Sequence, residues 1–317
     1  MAEAGAFSAT TIARVLLALA AFTAFALLAR LLLDHLIRRS LRAPRVAESS
    51  VPDGLPWCEV TIAGARGKTL FGWFIPAGEC APAMAIVHGW GGNAEMMLPL
   101  AGPLHTAGYA LLFFDARCHG RSDDDSFASL PRFAEDLAHA VDWLACRREV
   151  DARRIGVIGH SVGGAAALLL ASERKDLAAA VALAAFAHPE AMMRRWLHAK
   201  RIPYWPLGAY ILCYVQRVIG RRFADIAPCH TIRAAGCPVL LVHGSDDATV
   251  PVGDVREIYA HRRDERVSLL LIPGSHDGYA ELERHIEKVI AFLDDATRPP
   301  DGERVAEVSL AKAGEGK

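Results

Sequence analysis

One short stretch constrains the fold more than any other. The apolar run Ile155-Gly156-Val157-Ile158 leads directly into Gly159-His160-Ser161-Val162-Gly163-Gly164, and a helix-forming run follows to residue 172. This is G-x-S-x-G between a strand and a helix, where glycines leave room for a sharp turn that lifts the serine above a sheet. With 26 glycines in the chain, chance supplies roughly 0.09 such patterns. A strand that runs straight into a helix belongs to a β-α-β succession, hence to a mainly parallel sheet covered by helices on both faces. Such sheets bind ligands beyond the carboxyl ends of their strands, so chemistry is expected where strands end.

The rest of the chain fits that succession. Residues 57–63 and 69–75 read as an antiparallel hairpin. Residues 83–87, 109–114, 154–158, 239–242 and 267–272 read as strands, and 177–186 as a strand or a strand-helix mixture. Helices are expected over 95–107, 131–148, 162–172, 253–260 and 279–293; the second begins with Pro131 in its first turn. Residues 298–317 are polar and read as a flexible tail.

A serine hydroxyl is a weak nucleophile at neutral pH and needs a base, and the base needs an orienting acid. Both are expected after later strands, in the order serine, acid, histidine. The run after 239–242 is His243-Gly244-Ser245-Asp246-Asp247-Ala248-Thr249-Val250-Pro251, and that after 267–272 is Pro273-Gly274-Ser275-His276-Asp277-Gly278. An acyl intermediate also needs preorganised N–H donors for its oxyanion. The backbone N–H of Val162 is one candidate. Trp90, in the Gly-rich turn His88-Gly89-Trp90-Gly91-Gly92-Asn93, is the other.

With these pieces in place the chain resembles an α/β-hydrolase of the esterase/lipase-like branch that includes Bem46-like and serine-aminopeptidase-like hydrolases. The resemblance rests on HGWGGN at 88–93, DARCHGRSD at 115–123, GHSVGG at 159–164, HGSDDATVP at 243–251 and GSHDG at 274–278. It spans most of residues 57–293. It implies Ser161 as nucleophile, His276 as base, and Asp247 rather than Asp246 as acid. It also implies a carboxylesterase or lipase-like acyl hydrolase, with thioesters, amides and peptides open to the same machinery, and no cofactor. Cys118 departs from the pattern, since the family usually has glycine at that point of the turn.

The N-terminus is a separate problem. Residues 15–29 hold no charge, and the apolar run over 12–33 is broken only by Arg14 and Arg30. At about 1.5 Å per residue it spans about 33 Å, enough for a bilayer core. It is apolar on every face, unlike a surface helix, and longer than a usual signal-peptide core, with a poor positive region before it. Arg38, Arg39, Arg42 and Arg45 follow it, which places that flank and the remainder in the cytoplasm by the positive-inside rule. The expected organisation is a membrane anchor with basic flank over 1–45, a hydrolase domain over 46–297 and the tail. Seven cysteines without CxxC spacing agree with a reducing compartment.

Composition excludes some classes. A net charge of -1 does not suit a broad nucleic-acid surface, and 52% hydrophobic residues do not suit disorder. Zinc-motif spacings are absent. His119 with Asp123, Asp124 and Asp125 reads as an acidic surface turn rather than a cation site. Two other readings compete. Gly89 to Ala94 also matches G-x-G-x-x-A, with Asp115 as the acid of a dinucleotide site, which would make an NAD(P)-dependent oxidoreductase. A non-catalytic scaffold is the other. A helical cap is expected over about 187–235. Its Arg194, Arg195, Lys200, Arg201, Arg217, Arg221 and Arg222 suggest either ordinary solvated faces or a basic lid resting on an anionic leaflet. The partners expected are a small-molecule or lipid ester and the membrane.

Overall fold

The computed structural model describes residues 8–298. It opens with helix α1 (Ala9–Ser40), long and apolar enough by length and composition to cross a membrane. Its Leu17, Phe22, Phe25 and Leu28 are exposed, and Ile37 is its one buried residue. The 298–317 tail, Arg298 apart, lies outside the described residues.

The strands are β1 (Cys58–Ala63), β2 (Thr69–Ile75), β3 (Ala81–Val87), β4 (Ala110–Phe114), β5 (Val150–His160), β6 (Ala180–Leu183), β7 (Val239–Gly244) and β8 (Val267–Ile272). Among the described residues they form one 8-stranded sheet in the order β1-β2-β4-β3-β5-β6-β7-β8. β1 and β2 pair antiparallel, as do β2 and β4; every later pairing is parallel. Alternate residues of the central strands serve opposite cores. Ala83, Ala85 and Val87 of β3 face one core, with Leu112 and Phe114 of β4. Met84 and Ile86 face the other, with Leu111 and Phe113. Both faces are buried, which explains why these strands read as continuous apolar runs rather than as alternation.

The helix expected over 95–107 is instead a 3₁₀ segment, Ala94–Leu100, followed by α2 (Ala101–Thr106). Pro99 lies in the 3₁₀ segment, and a proline offers no N–H to a regular helical ladder. Next come α3 (Leu130–Ala145), with Pro131 in its first turn, and α4 (Val162–Glu173). The 177–186 segment supplies only the four-residue β6. Between β6 and β7 stand α5 (Pro189–Ala199), α6 (Ala209–Ile219), α7 (Phe223–Ile226) and α8 (Pro228–Thr231), the helical insertion. α9 (Val252–Ala260) follows β7. The expected 279–293 helix is two, α10 (Tyr279–Arg284) and α11 (Ile286–Ala296), parted at His285.

Much of the insertion's basic charge is paired within the protein. Arg194 bonds Glu190 and the Tyr204 hydroxyl, and Arg195 bonds Asp254 at 2.7 Å. Arg221 pairs with Glu173 and Arg222 with Asp225. Lys200, Arg201 and Arg217 are the exposed remainder.

Candidate active site

The site is built at the carboxyl ends of β3, β5, β7 and β8. At the end of β5 the chain must reverse into α4 within one residue. Ser161 does this with φ 55° and ψ -114°, a backbone conformation that a non-glycine residue rarely adopts. Its neighbours pack too closely for side chains. A Cβ on Gly159 would sit 2.1 Å from the Gly163 carbonyl oxygen, and one on Gly163 would sit 2.4 Å from that of His88. The turn leaves Ser161 at the head of α4, with Val162 contributing the first N–H of a helix, one that has no intrahelical acceptor.

His276, in the loop after β8, places Nε2 3.1 Å from Ser161 Oγ and Nδ1 2.7 Å from Asp247 Oδ2. The other carboxylate oxygen of Asp247 accepts the N–H groups of Thr249 (2.9 Å) and Val250 (2.7 Å). The carboxylate is thus held in one orientation, and a carboxylate only accepts. Nδ1 therefore carries the imidazole proton, which leaves Nε2 to accept from the serine hydroxyl. Asp246, by contrast, is exposed and bonds Ser245 Oγ and Gly274 N at the surface. Of the two neighbouring carboxylates, Asp247 is the one that meets His276.

The turn after β3 runs over the serine. A Cβ on Gly89 would lie 3.3 Å from Ser161 Cβ and 3.0 Å from His160 Nδ1. Trp90 and Val162 line the same cavity as Ser161 and His276. The Trp90 ring meets His119 edge-on at 5.9 Å. Beneath it, His88 Nδ1 donates to the Gly89 oxygen (2.6 Å), and His88 Nε2 accepts from Ala116 N (3.1 Å). Burial pushes the imidazoles of His88, His119 and His160 down to about 4, so all three are neutral at ordinary pH.

The cavity measures about 560 Å³. Met96, Met192, Met193, Trp196, Val215 and Ile219 make its walls largely apolar, and Ser40 and Leu41 at the end of α1 join them. Asp277 is the acidic residue that borders it. His160, His276 and Asp277 bring one ligand atom each within 4.8 Å of one another. A metal held there would take His276 away from Ser161.

Two motifs singled out in the sequence serve the turn after β4 instead. Asp115 accepts from Ala94 N and Arg121 N, both at 2.7 Å, and a Cβ on Gly120 would collide with its carboxylate. The acid that a dinucleotide site requires is therefore committed to backbone. Asp125 pairs with Arg66, Arg117 and Arg132, and Asp123 accepts from Thr69 N. Cys118 takes φ 65°, the left-handed region in which glycine is ordinarily found, and its Sγ accepts from Asp125 N at 3.2 Å.

Residues 78–218 match the family described as serine aminopeptidase, S33. The uncharacterized protein Rv2307c of Mycobacterium tuberculosis is 30% identical over 230 residues, 72% of this chain and 74% of its own length. The Pyrococcus furiosus esterase Pf2001 superposes with a TM-score of 0.67 at 25% identity, covering 81% of this chain and 97% of its own. The chain belongs to the α/β-hydrolase superfamily. Est1E from Butyrivibrio proteoclasticus shares the fold at 23% identity and a TM-score of 0.60, covering 76% of this chain and 100% of its own.

In this α/β hydrolase, sequence reasoning missed two residues at the site. His160 Nε2 lies 2.9 Å from the main-chain oxygen of His276. His243, buried under the acid loop, places Nε2 2.8 Å from the Val250 oxygen and 3.4 Å from Asp247 Oδ2. Both stand beside motif residues, at Gly-His-Ser and at His-Gly-x-x-Asp, which was the available signal. Their partners are more distant in the chain or bonded through main-chain oxygen, so the motif alone does not name them.

Proposed function

We propose that this chain is a membrane-anchored serine hydrolase that cleaves carboxylic esters through an acyl-enzyme. The observation that carries the reading is the relay Asp247–His276–Ser161, with 2.7 Å and 3.1 Å contacts, opening into an apolar cavity. His276 Nε2 takes the proton of Ser161 as Oγ attacks the ester carbonyl, and Asp247 holds the tautomer and stabilises the imidazolium. The N–H groups of Trp90 and Val162 receive the oxyanion. The imidazolium then protonates the leaving alcohol. Water attacks the acyl-enzyme with His276 again as base, and the acid product leaves Ser161 free.

The likeness to a protein named as an esterase supports the ester class. The anchor reading is supported by the exposed apolar side chains of α1 and by Arg38, Arg39, Arg42 and Arg45 after its apolar run, which favour a cytoplasmic domain. Retention of the segment is supported by Ile37, buried against the domain. The hydrolase domain then spans about 46–297, with its cap at about 187–235.

A peptidase is the second reading. The matched family's description favours it, and Asp277 at the cavity could receive a substrate ammonium. The test is a fluorophosphonate probe on the purified full chain, followed by p-nitrophenyl esters and aminoacyl p-nitroanilides side by side. Labelling at Ser161, ester turnover and loss of both in Ser161→Ala are expected. An Ser161→Ala protein with near-wild-type turnover overturns the serine mechanism, and faster anilide cleavage selects the peptidase.

A further inference from the structure

We propose that the last turn of α1 is a wall of the substrate pocket, and that the substrate is a membrane-resident ester whose acyl chain packs against it. The inference rests on the serine-ester reading above and names its substrate class. A tether needs no contact with a catalytic cavity. Here Ser40 and Leu41, at the end of the helix that carries the apolar span, line the same cavity as Ser161.

The segment is held in that place on both sides. The Leu41 carbonyl accepts from Ala128 N at 2.9 Å, and Asn93 Nδ2 donates to the Val46 oxygen at 3.3 Å. On the other side, Asp34 accepts from the Tyr210 hydroxyl at 2.5 Å, and Arg38 Nε donates to that of Tyr214 at 2.8 Å. The two tyrosines are one turn apart on α6, whose Val215 and Ile219 face the cavity. Anchor and cap therefore form two joined walls of one pocket.

The rim points to lipid. Trp90, Met96 and Trp196 line the cavity yet remain 41%, 37% and 45% exposed. Large apolar side chains left in water at a pocket mouth mark an interaction site, and tryptophan suits the membrane interface. Asp34 and Arg38, each with a polar partner on α6, mark where the span leaves hydrocarbon, because unpaired charge inside it is costly. The rim and Leu41 share the cavity, so its mouth lies close to that level.

The experiment uses the full chain in phosphatidylcholine vesicles, with p-nitrophenyl butanoate and dodecanoate as probes and fluorophosphonate labelling in parallel. Wild type is expected to favour dodecanoate by at least tenfold in kcat/KM. Leu41→Trp, which fills the wall, should lower the dodecanoate-to-butanoate ratio at least tenfold. Leu41→Ala, a gentler change, should shift the ratio more than twofold. Ratios within twofold of wild type in both variants, with Ser161 labelled, overturn the wall and leave the hydrolase standing. A wild type that favours butanoate overturns the lipid substrate. A wild type that neither labels nor turns over either ester overturns the serine-ester reading and this inference with it.

Discussion

His160 Nε2 lies 2.9 Å from the main-chain oxygen of His276, so the residue beside Ser161 holds the loop that carries His276. The rings are 4.9 Å apart between centroids, and burial keeps the His160 imidazole neutral. On the proposed mechanism, a neutral ring there donates one hydrogen bond without repelling an imidazolium on His276, and His160 acts as a positioning residue. His160→Phe should lower kcat about 100-fold with little change in KM, the penalty of a misplaced base. His160→Gln, which keeps a donor, should recover much of that loss. Equal kcat in the two variants would contradict the role.

Asp247→Asn replaces an acceptor by a group that can donate, and the favoured tautomer of His276 reverses. The proton then sits on Nε2, facing Ser161. A loss of about 10⁴-fold in kcat is expected, with the fold retained. Asp246→Asn alters only surface contacts and should stay within threefold of wild type. Ester turnover of the two purified variants checks both.

Gly163→Ala puts a Cβ 2.4 Å from the His88 oxygen and 2.8 Å from that of Val87. These atoms belong to β3 and its turn, so relief requires moving the backbone that leads into Trp90. The variant should melt at least 5 °C lower and lose more than 90% of its ester turnover, on the scale of an overpacked core. Gly253→Ala meets open space, which makes it the matched control. Thermal melts and a single-concentration assay read both effects.

The buried imidazoles give a pH dependence of known sign. Their folded values near 4 lie below the ordinary 6.5. The unfolded chain therefore binds more protons, and stability falls as pH drops from about 6.5 towards 4. Each contributes on the order of 2–3 kcal/mol across that window. Urea unfolding between pH 7.5 and 4.5 should show the decline, and His119→Gln should flatten it. An unchanged slope in that variant would contradict the assignment.

The sheet and the serine turn are legible in the sequence because each is written locally. Gly159 and Gly163 are glycines because backbone passes within 2.4 Å of where a Cβ would be, and the sharp strand-to-helix turn leaves that trace in the sequence. The single helix expected over 95–107 divides into a 3₁₀ segment and α2, with Pro99 inside the first. The cap sequence suggests solvated basic faces or a basic lid, yet Glu190, Asp254, Glu173 and Asp225 absorb four of its arginines. Two of those partners lie far away in the chain.

The sequence by itself therefore determined the alternation of strands and helices, the strained position of Ser161 and the apolar span of α1. Backbone geometry, side-chain period and hydrophobicity act over a few residues and need no partner. Only the tertiary structure decided that His160 reaches the main chain of His276 and that Leu41 reaches the cavity. Those are contacts across tens to more than a hundred positions. They depend on how parallel strands stack their ends at one edge of the sheet, which no local pattern records.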